Sequence, residues 1–180
     1  MHLRYIMSIK KLHHLAMRCR DSEETRQFYE DFLGLPLVHA IKIVETKTGD
    51  VTNTLHIFFR LHDGSHLAFF ESPGKEFIFK QQHDFDLHTA LEVEARFMQE
   101  MVIKAKSLNI ETRGISDHDF IQSVYFRDPN GYVVELTVKQ PHHDQSLDPT
   151  KNNARNILHD WQTSKVQSSR VTPGEIRNVF

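Results

Sequence analysis

The chain has a single cysteine, Cys19, so no disulfide can form within it. A fold without such staples suits a reducing cytoplasm, which is the compartment this composition predicts. No apolar run approaches the roughly 20 residues needed to span a bilayer. The opening stretch, residues 1–14, also lacks the apolar core of a secretory signal. Charge of one sign is missing too. The formal net charge is −2, which gives no reason to expect a nucleic-acid or anionic-membrane partner.

What is present fits an ordinary globular chain. At 180 residues, 39% hydrophobic and 26% charged, it suits one domain or two small packed modules with their own core. The unusual number is 13 histidines. Histidine is a common metal ligand and proton shuttle, so their positions matter more than their count.

Those positions expose an internal repeat. Leu12-His13-His14-Leu15-Ala16-Met17 resembles Leu87-His88-Thr89-Ala90-Leu91, and aligning His14 with His88 gives a shared His-x-Ala-apolar pattern. A helix is predicted after each copy. The first starts near Asp21 or Ser22, where Glu24 suggests a capping box, and stops at Gly34; Phe28, Phe32 and Leu33 form its apolar stripe. The second spans about 95–108, with Phe97, Met101, Val102 and Ala105 as its stripe. Three strands follow each helix, predicted over 35–44, 55–61 and 66–71, then 110–115, 123–127 and 132–138. Asp128-Pro129-Asn130-Gly131 is a strong turn sequence.

The expected architecture is α+β: two paired βαβββ modules, at 10–72 and 83–140, forming a curved mixed sheet around a cavity. A linker runs through Pro73-Gly74-Lys75. A tail at 141–180 contains a short amphipathic helix, capped near Asp148-Pro149 and carrying Ala154, Ile157, Leu158 and Trp161. That helix is expected to pack on the domain or on a partner subunit, and 163–180 to be loosely ordered.

Alternation along a strand separates the faces. Leu15, Met17 and Cys19 share an apolar face that belongs under a helix, which makes Cys19 a small buried hydrophobe. His14, Ala16 and Arg18 take the other face. In the second copy His88, Ala90 and Glu92 share a face, as do Val133, Glu135 and Thr137 on the last strand. His14, His88, Tyr125 and Glu135 are then expected to point into one cavity. His13 competes with His14, and the repeat register favours His14.

With this pattern assembled, the chain resembles the vicinal-oxygen-chelate superfamily of glyoxalases, bleomycin-resistance proteins and type I extradiol dioxygenases. The likeness covers about 10–140. It rests on His14-Leu15-Ala16-Met17, the segment from Phe28 to Leu35, His88-Thr89-Ala90-Leu91, and the run from Tyr125 to Glu135. The resemblance implies one divalent metal held by His14, His88 and Glu135, and a homodimer acting on a small molecule. Two histidines and a carboxylate form the facial triad of non-haem Fe(II) oxygenases, which leaves positions open for substrate and O2. Mn(II), Zn(II) or Ni(II) are alternative metals. The site is expected within one chain, or in a swapped dimer that draws His14 from one subunit and His88 with Glu135 from the other.

Aligning Gly64 with Gly131 puts Ala68 opposite Glu135, where glyoxalase I enzymes typically carry a glutamate. Glu71 lies three residues on and faces the other way in a regular strand. His118 precedes Val124-Tyr125 in a pattern similar to the extradiol signature, with Ser116 departing from it. By that resemblance the reaction is Fe(II)-dependent ring opening of a catechol, with His118 and Tyr125 bonding substrate oxygens. His66 is the first choice for the acid–base histidine, ahead of His56 and His62. Phe58 and Phe70 are candidate pocket aromatics. The competing functions are glyoxalase-like isomerisation or lyase chemistry, thiol transfer to an epoxide antibiotic, and drug sequestration without catalysis.

Overall fold

The structure is a computed structural model, and it describes residues 9–45, 48–49, 51–81 and 83–168. The element order is β1 (His14–Cys19), α1 (Ser22–Arg26), β2 (Leu37–Glu45), β3 (Val51–Arg60), β4 (His66–Glu71), β5 (His88–Glu92), α2 (Ala95–Ser107), β6 (Thr112–Asp117), β7 (Ile121–Arg127), β8 (Val133–Lys139), α3 (His143–Ser146) and α4 (Ala154–Ser168). The strands form two four-stranded mixed sheets of equivalent order, β1-β4-β3-β2 and β5-β8-β7-β6. In each, the strand that opens the repeat pairs in parallel with the last strand, and the remaining pairings are antiparallel.

The first helix departs from simple expectation. α1 is followed directly by a π-helical stretch, Gln27–Phe32. The wider winding lets Phe28, Tyr29, Phe32 and Leu33 all reach the core, more side chains than one α-helical stripe would carry. Asp21 caps the helix by accepting from the backbone N–H groups of Glu23 and Glu24, each at 2.8 Å. Glu24 does not complete a capping box, because its carboxylate pairs with Arg20. In α2 the buried residues are Met98, Met101 and Ala105, whereas Phe97 is turned outward. The expected stripe was therefore rotated by about one position at its start.

Both helices lie within one hydrophobic core. Met17, Cys19, Ile57, Phe59, Leu67 and Phe69 from the first sheet join Val124, Phe126, Val134 and Leu136 from the second. The Phe32 ring meets Phe126 edge-on at 5.4 Å, so the first helix touches the apolar faces of both sheets. Burial of these faces is the main stabilising term. The opposite faces of the sheets, which carry His14 and His88, lie outside this shared core.

The turn sequence does more than reverse the chain. Asn130 is buried and spans the two repeats. Its side-chain oxygen accepts from the Arg20 backbone N–H at 2.8 Å, and its amide donates to Thr25 and Asp128 at 3.2 and 3.1 Å. Tyr29 donates its hydroxyl to Asp128 at 3.1 Å. Gly131 has φ +94°, and a Cβ there would stand 2.2 Å from the Lys80 carbonyl oxygen. Both its conformation and the passing linker require glycine.

The tail also differs from expectation. Asp148 closes a turn, accepting from Thr150 N–H at 2.8 Å, and the long helix begins only at Ala154. It runs on to Ser168, so the loose order expected from 163 does not hold that far, and 169–180 lie outside the described residues. Ile157, Leu158 and Trp161 are 63%, 59% and 64% exposed, so this helix does not bury its apolar residues on the domain. Among the described residues no helix is long and apolar enough to cross a membrane.

Candidate metal centre

The repeat register is reproduced strand by strand. His14 pairs with His66, Ala16 with Ala68, and Ala68 with Phe58. In the second sheet His88 pairs with Val133, Ala90 with Glu135, and Glu135 with Tyr125. Phe58 and Ala68 thus occupy the places that Tyr125 and Glu135 take in the second sheet. The chemistry is split unequally between two related faces.

On the second sheet, His88 and Glu135 converge. His88 Nε2 lies 3.1 Å from Glu135 Oε2. His88 Nδ1 lies 2.7 Å from the Asp84 backbone oxygen. A carbonyl only accepts, so Nδ1 carries the proton and Nε2 of a neutral ring presents a lone pair. Two lone-pair atoms facing each other at this distance repel unless a cation sits between them or the ring takes a second proton. Glu135 is only 5% exposed, which strengthens that requirement. Neutral imidazole nitrogen and carboxylate oxygen are common divalent-metal donors, and the bond to Asp84 orients the ring as outer contacts orient metal-binding histidines. These two residues therefore fit half of a metal site.

Tyr125 lies beside this pair, and its hydroxyl stands 2.9 Å from His118 Nε2. Burial, and then the negative charge of Glu135, push the Tyr125 hydroxyl above its ordinary pKa. It stays protonated at neutral pH and can donate a hydrogen bond.

His14 is on the other sheet. Its Nδ1 stands 2.8 Å from His13 Nδ1, with one of the two rings donating. His13 lies just before β1, so alternation within the strand does not separate the two histidines. Among the described residues, no group of three His, Cys, Asp or Glu side chains is placed to hold a metal. The structure thus brings His88, Glu135, Tyr125 and His118 to one face and puts His14 with His66 on another.

The remaining histidines on the first face differ in environment. His66 Nδ1 reaches the His13 carbonyl at 3.3 Å, leaving Nε2 as its acceptor. His56 is buried, stacks on Phe70 at 3.6 Å, and its Nε2 has no partner. Burial, then the nearby His14 and His39, lower its pKa. His62 is exposed in the turn. Glu71 does not replace the missing carboxylate at Ala68, because it points to the core side and accepts from Ser22 N–H at 2.8 Å. Cys19 is buried, and desolvation pushes its thiol up to about 11. A cleft of about 710 Å³, lined in part by Leu35, Leu61, Leu91 and Phe97, touches none of His14, His66, His88, His118, Tyr125 and Glu135, though His62 lines it.

Sequence reading missed Asp84 and Arg113. The Arg113 guanidinium pairs with the Asp84 carboxylate and lies 5.5 Å from the centre of the Tyr125 ring. Neither residue falls in a motif, and a bond between positions so far apart has no periodic signal.

Paired repeats, each a four-stranded mixed sheet whose first strand opens on a histidine, define the class of this α+β protein. A family model described as glyoxalase/bleomycin resistance protein/dioxygenase superfamily matches residues 11–136, and the chain belongs to that superfamily. A glyoxylase/bleomycin resistance protein/dioxygenase domain from Frankia sp. shares the fold at TM-score 0.61 and 17% identity, covering 74% of this chain and 100% of that one. A variant of the fosfomycin resistance protein FosX from Listeria monocytogenes, solved with Mn(II) and a dihydroxypropylphosphonic acid, gives 0.58 and 18%, covering 76% and 98%. A glyoxalase family protein from Enterococcus faecalis gives 0.55 and 23%, covering 71% and 97%. No curated protein sequence matches the chain.

Proposed function

We propose that this chain is a metal-dependent enzyme whose divalent ion is held by His88 and Glu135 of one copy together with His14 of a second copy. The observation that carries this reading is the 3.1 Å approach of His88 Nε2 to Glu135 Oε2, with His88 Nδ1 committed to the Asp84 carbonyl. That approach suits a bound cation. The placement of His14 on the other sheet favours a homodimer in which the histidine-bearing face of one copy covers the glutamate-bearing face of the other.

For the reaction, we propose ring opening of a catechol by Fe(II), with both atoms of O2 entering the product. A bound ion supplies the charge that holds two adjacent substrate oxygens in place. Tyr125 stays protonated and donates to one of those oxygens, and His118 orients the Tyr125 hydroxyl. His66 presents Nε2 as a proton acceptor on the His14 face, which suits an acid–base role. His56, Phe58 and Phe70 give the same face an aromatic lining. Small-molecule diol and O2 are the partners this reading requires, and a cytoplasmic location suits the reduced metal.

A second reading is thiol transfer to an epoxide antibiotic, and the fold shared with a fosfomycin resistance protein solved with Mn(II) and a phosphonic acid supports it. A phosphonate-bearing substrate needs uncommitted cations. Arg113 is taken by Asp84, and Arg127 by Glu111 and the Gly131 carbonyl, which leaves Arg18, whose Nε has no hydrogen-bond partner among the described residues, and Arg60 on the first sheet as the candidate cations. Glyoxalase-type chemistry lacks a carboxylate at Ala68, and a sequestering protein would not need the His88–Glu135 pair.

The test is anaerobic loading with Fe(II), then exposure to air with a panel of catechols. A yellow ring-opened product is expected. Absence of colour across the panel, with turnover of a glutathione hemithioacetal under Ni(II) or Zn(II), would transfer the assignment to glyoxalase-type chemistry.

A further inference from the structure

The face carrying His88 and Glu135 is crossed by an ion pair. Asp84 lies four residues before His88, in the segment that leads into β5, and Arg113 belongs to β6. β5 and β6 are the two edges of the sheet, with β8 and β7 between them. The Arg113–Asp84 pair therefore joins one edge to the other across the middle strands. Arg113 lies over the Tyr125 ring on β7, and Tyr125 is the register partner of Glu135 on β8. Glu135, beside Tyr125, is almost fully buried on the face opposite the helices.

The same residue that Arg113 holds by its carboxylate holds His88 by its backbone. Asp84 is only 13% exposed at the side chain, and its carbonyl accepts from His88 Nδ1. The turn is further fixed by Asp86 N–H donating to the His83 carbonyl at 2.9 Å. Pulling on the carboxylate thus sets where the carbonyl stands, and the carbonyl sets the ring and its tautomer.

We propose that Arg113 and Asp84 form a latch across the sheet that positions His88 for metal binding. Arg113 is a positioning residue, acting on His88 through the Asp84 backbone. Stacking on Tyr125 adds a geometric constraint that lysine does not reproduce. The latch rests on the proposed metal role of His88, and its test separates the two ideas.

The full-length chain and the variants Arg113→Gln, Arg113→Lys, Asp84→Asn and His88→Ala are compared. Imidazole nitrogen spectra of metal-free protein read the His88 tautomer, and titration with Co(II) alone reads affinity. Wild type is expected to hold His88 with its proton on Nδ1. Arg113→Gln and Asp84→Asn should mix the tautomers and weaken Co(II) by about 10–100-fold. The thermal midpoint should shift by at most about 4 °C, since a partly exposed ion pair contributes little to stability. Arg113→Lys should recover part of the affinity. Wild-type tautomer and wild-type affinity in Arg113→Gln overturn the latch. If His88→Ala abolishes Co(II) binding in that same experiment, the metal reading stands and only the latch falls. Unchanged Co(II) affinity in His88→Ala sinks the metal reading, and with it the latch's role in metal binding.

Discussion

Replacing Asn130 by alanine should separate the two repeats energetically. Asn130 is 1% exposed and holds the Arg20 backbone N–H at 2.8 Å, Thr25 at 3.2 Å and Asp128 at 3.1 Å. Alanine leaves the Arg20 donor without its partner and takes one donor from the buried Asp128 carboxylate. Tyr29, the Asn130 backbone and the Tyr132 backbone still serve Asp128. A buried group left unsatisfied costs about 1–3 kcal/mol. Two affected groups, one only partly deprived, give a loss of about 2–4 kcal/mol. For a chain of this size that lowers the thermal midpoint by roughly 4–16 °C. Urea and thermal denaturation of metal-free protein would measure it, with Asn156→Ala as the control. Among the described residues the exposed Asn156 side chain bonds only to Asn153, so its replacement should stay within about 0.5 kcal/mol. A loss below about 1 kcal/mol for Asn130→Ala would refute the view that this turn ties the repeats together.

Three other outcomes are expected. Glu135→Ala should lose stoichiometric metal by elemental analysis while remaining folded by circular dichroism; full metal content would remove Glu135 from the ligand set. Tyr125→Phe should retain metal but lose about 100-fold or more in catechol turnover, because one preorganised donor is removed; undiminished turnover would end its proposed role. The Cys19 thiol, pushed up to about 11 by burial, remains protonated at pH 8 and should resist alkylation until the chain unfolds. Mass spectrometry showing rapid labelling of native protein would contradict that placement.

Much of the fold was legible because its causes are local. Alternation placed Met17, Cys19 and Leu136 in the core, and the shared His-x-Ala pattern gave the equivalence of β1 and β5. The same rule put Glu71 on the side away from His14, where it holds the Ser22 N–H. The failures have equally specific causes. A π-helical stretch changes which residues share a face, so a period of 3.6 could not describe 27–32. Asp148-Pro149 satisfies both a helix cap and a turn, and the Thr150 contact decides for the turn.

Alternation assigns each residue a face but does not say which other face it meets. That is why the spacing of His14, His88 and Glu135 pointed first to one cavity within the chain, with a two-chain site as the alternative, whereas among the described residues the three do not come together. Once the apolar faces merge around the helices, His14 and Glu135 lie on separate outer faces, and for that reason the proposed site takes its third ligand from a second copy. Asp84 and Arg113 were invisible for a related reason. Their contact depends on how far the linker reaches over the curled sheet, and no motif in the chain encodes that distance.

The most direct measurement is the metal content of a mixed dimer. A tagged His14→Ala chain and a differently tagged Glu135→Ala chain would be co-expressed and purified through both tags. A site built from two copies leaves one intact site in such a dimer, with half the wild-type metal, while each variant alone holds none. A mixed dimer as empty as its parents would contradict the account.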